Sequence, residues 1–399
     1  MEKAGVVLST PFYMKKKVLA AVSGGVDSIT ALLILREEGY DVAAAHMKLW
    51  DYADVGGDSF HDGRCCSLEA INDLQIICNS FSIPFYVFNL SGEFKKIVIN
   101  NFVSEYKAGR TPNPCILCNT HLKWSIFLRK AIEIGCEYIA TGHYARLEYD
   151  NDRKRFVLRK GIDATRDQSY ALWGLGQGAL SHTLLPLGKY LKLEVRQLAR
   201  KFNLKNAEKP ESREICFIAD DDYHRFLREW EEKHGSRPKA GDIVFKNGAV
   251  AGRHQGIQYY TIGQRKGLGL SNPTPLYVNR IDVQSNRVII GDEAELYSAR
   301  TMVRNINWVS IASPASEFPA DVKIRYLHQP APAIVKPIGE NASVNPAFDG
   351  AEVEFETQQR AITPGQSAVF YDGEVLLGGG IIDSYPAVAG SGLMTENND

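Results

Sequence analysis

The feature that most constrains this chain is a glycine-rich loop set between an apolar run and a helical pattern. Val18-Leu19-Ala20-Ala21-Val22 reads as a buried strand, and Ala31, Leu32 and Leu35 suit a following helix that Gly39 can end. Between them stands Ser23-Gly24-Gly25-Val26-Asp27-Ser28. Two glycines let the backbone approach a phosphate, and a helix N-terminus supplies N–H groups and a positive dipole end. Ser23 and Ser28 add hydroxyl donors. Asp27 is the odd member, because an acid beside phosphates makes sense mainly through a divalent metal. The Lys-Ser/Thr ending of the γ-phosphate P-loop is missing. The bland alternative is a glycine turn that only caps a helix.

The alternation continues. Val42-Ala43-Ala44-Ala45 is a weak second strand, Leu68, Ile71, Leu74 and Ile77 give a helix, and Pro84 to Phe88 give another strand. Trp124, Phe127, Leu128 and Ala131 mark a helix closed by Gly135 before the short strand Tyr138-Ile139-Ala140. The expected class is α/β, a doubly wound parallel sheet with helices on both faces, over residues 1–220. Beyond Asp221 the texture becomes short β-rich runs, such as Val322 to Leu327 and Ala368 to Tyr371, separated by Gly, Asn and Pro turns. This predicts a small central β-rich module over 221–295, a C-terminal β-barrel over 296–386 and a flexible tail over 387–399. A length of 399 residues accommodates several domains.

The formal net charge is −1, so a nucleic-acid partner would need a local basic face. One candidate is the segment Lys189–Arg213, with Lys189, Lys192, Arg196, Arg200, Lys201, Lys205, Lys209 and Arg213; a solvated helix face is the alternative. No stretch reaches the ~20 apolar residues of a membrane helix. Lys15, Lys16 and Lys17 precede the first strand in place of a signal-peptide core, and the chain reads as cytoplasmic with no membrane partner. Seven cysteines, none beyond Cys216, make a poor disulfide framework and place any sulfur or metal chemistry in the front half.

Two of those cysteines follow Gly109-Arg110-Thr111-Pro112-Asn113-Pro114, at Cys115 and Cys118, before a helix expected from about Asn119. A helix N-terminus lowers a thiol pKa. Another, Cys216, lies within Glu211-Ser212-Arg213-Glu214-Ile215-Cys216-Phe217-Ile218. A buried structural cysteine is the ordinary alternative.

The hexapeptide 23–28 resembles the pyrophosphatase loop of enzymes that split ATP between the α and β phosphates. Both cysteine segments, with Ala45 to Trp50, Ala140 to Ala145, Asp167 to Tyr170 and Tyr260 to Leu268, closely resemble the tRNA-specific 2-thiouridylases of the MnmA family, from about Lys17 to about Tyr385. The resemblance implies an adenine nucleotide alpha hydrolase-like domain and a tRNA-uridine 2-sulfurtransferase using ATP and Mg2+. It implies that Ala21, Val22, Ser23, Gly24, Gly25, Val26, Asp27 and Ser28 hold ATP, with Met47 and Gly142 near the nucleotide. Cys118 matches the nucleophile and Cys216 the persulfide-bearing cysteine, which would end as a Cys118–Cys216 disulfide. Asn113, Pro114, Cys115, His143, Arg166, Asp167, Gln168, Arg325, Tyr326 and Gln366 match positions that touch tRNA. The implied target is the wobble uridine of tRNAs for Lys, Glu and Gln, with a cysteine desulfurase or sulfur-relay protein as donor.

One departure stands out: the family's usual aspartate is here Cys115, giving Cys-x-x-Cys. Cys115, Cys118 and Cys216 are therefore also candidate ligands of a [4Fe–4S] cluster, a route that some related tRNA thiolases use. Two further readings stay open, a small-molecule adenylating ligase and an RNA-binding protein with a structural zinc at Cys115 and Cys118.

Overall fold

The computed structural model describes residues 15–51, 55–56, 68–204, 207, 215–218, 220–338 and 350–383. The expected tail, and Lys205, Lys209 and Arg213 of the basic segment, lie outside them.

The opening alternation folds as patterned: β1 (Lys17–Ala21), α1 (Val26–Glu37), β2 (Asp41–Lys48), α2 (Leu68–Ser80) and β3 (Phe85–Asn89). Two longer helices follow, α3 (residues 91–107) and α4 (residues 114–133), each widened to π geometry in its middle, at Lys95–Ile99 and Cys118–Phe127. Next come β4 (Tyr138–Ala140), the hairpin β5 (Ala145–Asp150) and β6 (Arg155–Lys160), then β7 (Thr183–Leu184). The parallel sheet runs β3-β2-β1-β4-β7. Val18 and Leu19 of its central strand are fully buried, as expected of a strand covered on both faces. The connection order reverses at β1, between β2 and β4, and such a switch point opens a crevice at the strands' C-terminal ends. Residues 22–25 and 141–143 line that crevice, immediately after β1 and β4.

The described part of the basic segment packs against α1. Its helix α5 (Lys192–Lys201) buries Val195 and Ala199 among apolar residues of α1. Its cations meet the acids of the same neighbour: Lys189 pairs with Glu38 at 2.7 Å, Lys201 with Glu37 at 3.2 Å, and the buried Lys192 with Asp27. Over its described part, this segment docks helix on helix, with Lys189, Lys192 and Lys201 turned to acids.

After α6 (Tyr223–Lys233), the central module is a mixed sheet of order β10-β11-β8-β9, built from β8 (Gly241–Phe245), β9 (Val250–His254), β10 (Tyr277–Asp282) and β11 (Arg287–Gly291). The C-terminal strands are β12 (Tyr297–Trp308), β13 (Phe318–Lys323), β14 (Ala331–Ile338), β15 (Gly350–Arg360), β16 (Ser367–Asp372) and β17 (Val375–Asp383). They run β12-β15-β14-β13-β16-β17, and a β12–β17 pairing closes the six into an antiparallel barrel. The strand expected over Val322 to Leu327 ends at Lys323; Arg325, Tyr326 and Leu327 turn outward, with Leu327 85% exposed.

The β5–β6 hairpin belongs to this barrel sheet, joined where Arg159 pairs with Val375 of β17. Gln177 clamps the junction. Its Oε1 accepts the Phe156 N–H at 2.8 Å, and its Nε2 donates to the carbonyls of Phe156 at 2.9 Å and Val309 at 2.7 Å. Gln177→Ala should therefore cost about 1–3 kcal/mol of stability by leaving these groups unpaired. Gln177→Glu should cost more, since it turns a carboxylate oxygen toward two carbonyls. Urea unfolding monitored by tryptophan fluorescence reads both.

Candidate functional site

At the crevice, Ser28 holds the glycine loop together. Its Oγ accepts the Ser23 N–H at 3.1 Å and donates to the Gly25 carbonyl at 3.0 Å, so the hydroxyl proton expected to face a phosphate is engaged within the loop. Gly25 starts α1 without a side-chain cap, and first-turn amides left uncapped suit an anion. Ala21 and Val22 end β1, and the Val22 carbonyl accepts from Nδ1 of the buried His46 at 3.0 Å. Beside His46, Met47 pairs with Phe88 across β2 and β3.

Gly142 packs against this loop. A Cβ placed there would lie 2.9 Å from the Ser28 nitrogen and 3.0 Å from the Asp27 carbonyl carbon, so only glycine fits. Asp27 itself is held by two groups: Lys192 Nζ sits 2.8 Å from both carboxylate oxygens, and the Tyr144 hydroxyl donates to Oδ1 at 2.8 Å.

The cysteine helix starts earlier than expected. Asn113 is its N-cap, Pro114 opens the first turn, and Cys115 lies inside that turn. Cys115 keeps solvent access although protein atoms crowd around it. Burial pushes its thiol up and only the charge of Lys123 opposes, so the thiolate expected from the helix dipole is not favoured here. Lys123 Nζ donates to Asn119 Oδ1 at 2.9 Å, and Asn119 Nδ2 donates to the Ala171 carbonyl at 2.9 Å. Burial and the same Lys123 charge press the His143 pKa well below 6.5. His143 bonds Thr141 Oγ1 through Nδ1 at 2.7 Å and lies against Trp124, with ring centroids 5.4 Å apart. Lys123 thus stands near both Cys115 and His143.

Cys118 is buried in an apolar cluster that also contains Phe217 and Ile218, with Ile215 packed against it. These three flank Cys216, whose own side chain is exposed. The structure so brings the two cysteine segments onto one body. It does not form the alternative iron–sulfur site. Among the described residues no three His, Cys, Asp or Glu side chains gather to hold a metal, and all three candidate cysteines are described. Cys118 sits inside the apolar cluster while Cys115 and Cys216 are exposed, which corrects the cluster reading. A phosphate-bound Mg2+ needs only one or two carboxylates besides the phosphates. The Asp27 side chain, 23% exposed at the loop, fits that requirement.

The remaining expected residues fall into two groups. Asp167, Gln168 and Gln366 are engaged inside the protein. Asp167 accepts from the Gly161 and Ser169 N–H groups at 3.0 and 3.1 Å, Gln168 Oε1 accepts the Tyr144 N–H at 3.0 Å, and Gln366 Nε2 donates to the Thr111 and Pro112 carbonyls, each at 3.1 Å. Arg166 is half-buried beside them. Arg325 and Tyr326, by contrast, stand at the cleft's barrel side near Tyr170. Tyr170 donates to the Ser367 carbonyl at 2.9 Å, and Asn113 stands near the same phenol. Lys323 Nζ lies 5.8 Å from the Tyr170 ring and 6.0 Å from that of Tyr326. Reading the sequence placed Lys192 in the basic segment rather than at the loop, and gave no role to Tyr144, His46, Lys123 and Lys323. No spacing singled them out.

Fold and site define a nucleotide-loop α/β domain joined to a small β module and a closed barrel. The chain matches the family models described as tRNA methyl transferase HUP domain over residues 16–220, tRNA methyl transferase PRC-barrel domain over 232–292 and aminomethyltransferase beta-barrel domain over 298–382. It is 46% identical over 370 residues to the tRNA-specific 2-thiouridylase MnmA of Carboxydothermus hydrogenoformans, covering 92% of this chain and 98% of that one. To the enzyme of the same name from Clostridioides difficile it is 43% identical over 371 residues, covering 93% and 99%. The chain belongs to the MnmA family of tRNA-specific 2-thiouridylases.

Two outcomes follow from the geometry. Gly142→Ala forces the loop aside at a strain of about 1–3 kcal/mol, which should weaken nucleotide binding about ten- to hundredfold in titrations with a fluorescent ATP analogue. His143 should stay neutral through the ordinary histidine range, with no ring titration near pH 6.5 by NMR. Because the folded value lies below the unfolded one, His143 contributes stability present above pH 6.5 and lost as pH falls toward its folded value. His143→Gln should reduce that acid-side loss.

Proposed function

We propose that this enzyme uses ATP to replace O2 of a tRNA wobble uridine with sulfur, in the tRNAs for Lys, Glu and Gln. The observation that carries the reading is the shared apolar cluster, which packs Cys118 with Ile215, Phe217 and Ile218 on either side of Cys216. A glycine loop at the switch point of the same sheet supports the use of ATP.

A uracil carbonyl is a weak electrophile and its oxygen a poor leaving group. Transfer of AMP to O2, with pyrophosphate released, makes that oxygen part of a good leaving group. Mg2+ bound through Asp27 would supply charge neutralisation at the phosphates. The terminal sulfur of a Cys216 persulfide then bonds to C2 as AMP departs. Cys118 thiolate attacks the Cys216 sulfur, the bond to the transferred sulfur breaks, and the pair remains as a disulfide that a cellular dithiol reduces. The persulfide sulfur is reduced to the thiocarbonyl level while the two thiols are oxidised, so the electrons balance. A cysteine desulfurase or relay protein would recharge Cys216.

The target base would have to leave its stack to reach the cleft. Lys323, Arg325 and Tyr326, grouped around Tyr170, give a cationic and aromatic surface suited to an anticodon loop. The Tyr326 side chain, 39% exposed, is available for stacking.

The test is mass spectrometry of nucleosides from unmodified tRNA treated with enzyme, ATP and a desulfurase with cysteine. Wild type should yield 2-thiouridine. Cys216→Ser should release pyrophosphate in a tRNA-dependent manner yet form none, and Cys118→Ser should likewise fail to thiolate. Asp27→Asn should abolish both steps. Full thiolation by the Cys118 and Cys216 variants would overturn the two-cysteine route.

A further inference from the structure

Cys115 has no task in the two-cysteine route, yet the fold sets it one helical turn before Cys118. Side chains three residues apart on a helix are neighbours, with Cβ atoms about 5–6 Å apart. A disulfide needs about 3.5–4.5 Å between the same atoms. The small closure required falls at the start of α4, where Asn113 caps without a side-chain hydrogen bond and the helix widens to π geometry from Cys118 onward. The three thiols also differ in access. Cys115 and Cys216 are exposed, whereas Cys118 is 8% exposed within the apolar cluster that holds Phe217 and Ile218. Cys118 thus has one exposed cysteine on its own helix and another in the segment packed beside it.

The two-cysteine route leaves Cys118 and Cys216 joined, and Cys216 must be released as a thiol before it can carry sulfur again. We propose that Cys115 releases it by intramolecular exchange. The Cys115 thiolate attacks the Cys118 sulfur, the Cys118–Cys216 bond breaks, and Cys216 departs as a thiolate that takes up the proton Cys115 gave up. The proposal rests on the two-cysteine reading. One disulfide replaces another, so no oxidant enters. A cellular dithiol then reduces the Cys115–Cys118 pair through the exposed Cys115 sulfur. Protein atoms crowded around Cys115 push its thiol up, with the Lys123 charge opposing. A thiol that gains little from ionising holds its disulfide more firmly, which favours the exchanged pair. The same environment makes Cys115 a slow nucleophile, so Cys118 reaches the persulfide first.

Peptide mapping after a single turnover tests the exchange. Full-length enzyme carrying persulfide on Cys216 is mixed with ATP and unmodified tRNA without reductant, quenched in acid, alkylated and digested with trypsin. Cys115 and Cys118 fall in one tryptic peptide, residues 111–123, and Cys216 in another, residues 214–225. Wild type should give mainly the 111–123 peptide lighter by its two thiol hydrogens, with Cys216 alkylated. Cys115→Ser should instead leave the two peptides joined through Cys118 and Cys216. A wild-type sample in which they stay joined, with Cys115 alkylated, would overturn the exchange and leave the two-cysteine route standing. Formation of 2-thiouridine with neither disulfide in either protein would overturn both. If Cys115→Ser does not fold or turn over, equilibration of the wild type in a glutathione redox buffer decides. There Cys118 should pair with Cys115 in about tenfold excess over its pair with Cys216. Equal amounts, a reversed ratio or neither pair would overturn the proposal.

Discussion

The segment 109–113 is held from three directions, and the geometry of the cleft depends on that junction. The Thr111 N–H donates to the Pro364 carbonyl at 2.8 Å, and Gln366 bonds the Thr111 and Pro112 carbonyls from the barrel. Arg110 bridges Glu105 of α3 at 2.7 Å and Asp383 of β17 at 2.9 Å. Gly109 abuts Ile281 and Val283 of the central module. On the barrel side Gly365 has φ +92, and a Cβ there would come within 2.9 Å of Thr111 backbone atoms. Each bond adds only about 1 kcal/mol net. Their joint effect is geometric: the start of the Cys115 helix takes its direction from all three units. Its far end takes its place from Leu122 and Phe127, buried in the α/β body.

Charge is distributed with the same division of labour. On the barrel side, Lys323 lies near the Tyr170 and Tyr326 rings, and Arg325 stands near Tyr170 and Arg360, which pairs with Glu293. On α5 and just before it, Lys189, Lys192 and Lys201 are paired with acids. In a chain of net charge −1, a local grouping of cations like the barrel-side one is the kind of feature that would attract a polyanion without broad affinity for nucleic acid.

Much of the sheet was legible because its signals are local. Val18 to Val22 is apolar without interruption, and a strand buried on both faces must be. The loop at Ser23 to Ser28 likewise announces itself through adjacent glycines. What stayed hidden depends on distant partners. Lys192 looks like any lysine of a basic helix until α5 is laid on α1 and its side chain meets Asp27. Asp167, Gln168 and Gln366 read as exposed polar residues, yet each holds backbone that lies far away in sequence or around a turn. The Cys115 helix was placed too late because Pro114 is an ordinary loop residue by composition and an ordinary first-turn residue by geometry. The β5–β6 hairpin was missed as a barrel element because its partner strand lies at the other end of the chain.

That last arrangement has a bearing on how the molecule is made. Lys160 and Gly373 share a hydrogen bond at 2.8 Å while standing 213 positions apart. At translation rates of about 5–20 residues per second, β6 emerges on the order of ten to forty seconds before β17. During that interval its edge is an unpaired template of the kind that invites aggregation. The hairpin carries Glu148 and Arg159 paired at 2.5 Å, with Arg146, Arg155 and Lys160 around them. Those charges keep a waiting strand in water, and they make the nascent chain tolerant of the delay that its own topology imposes.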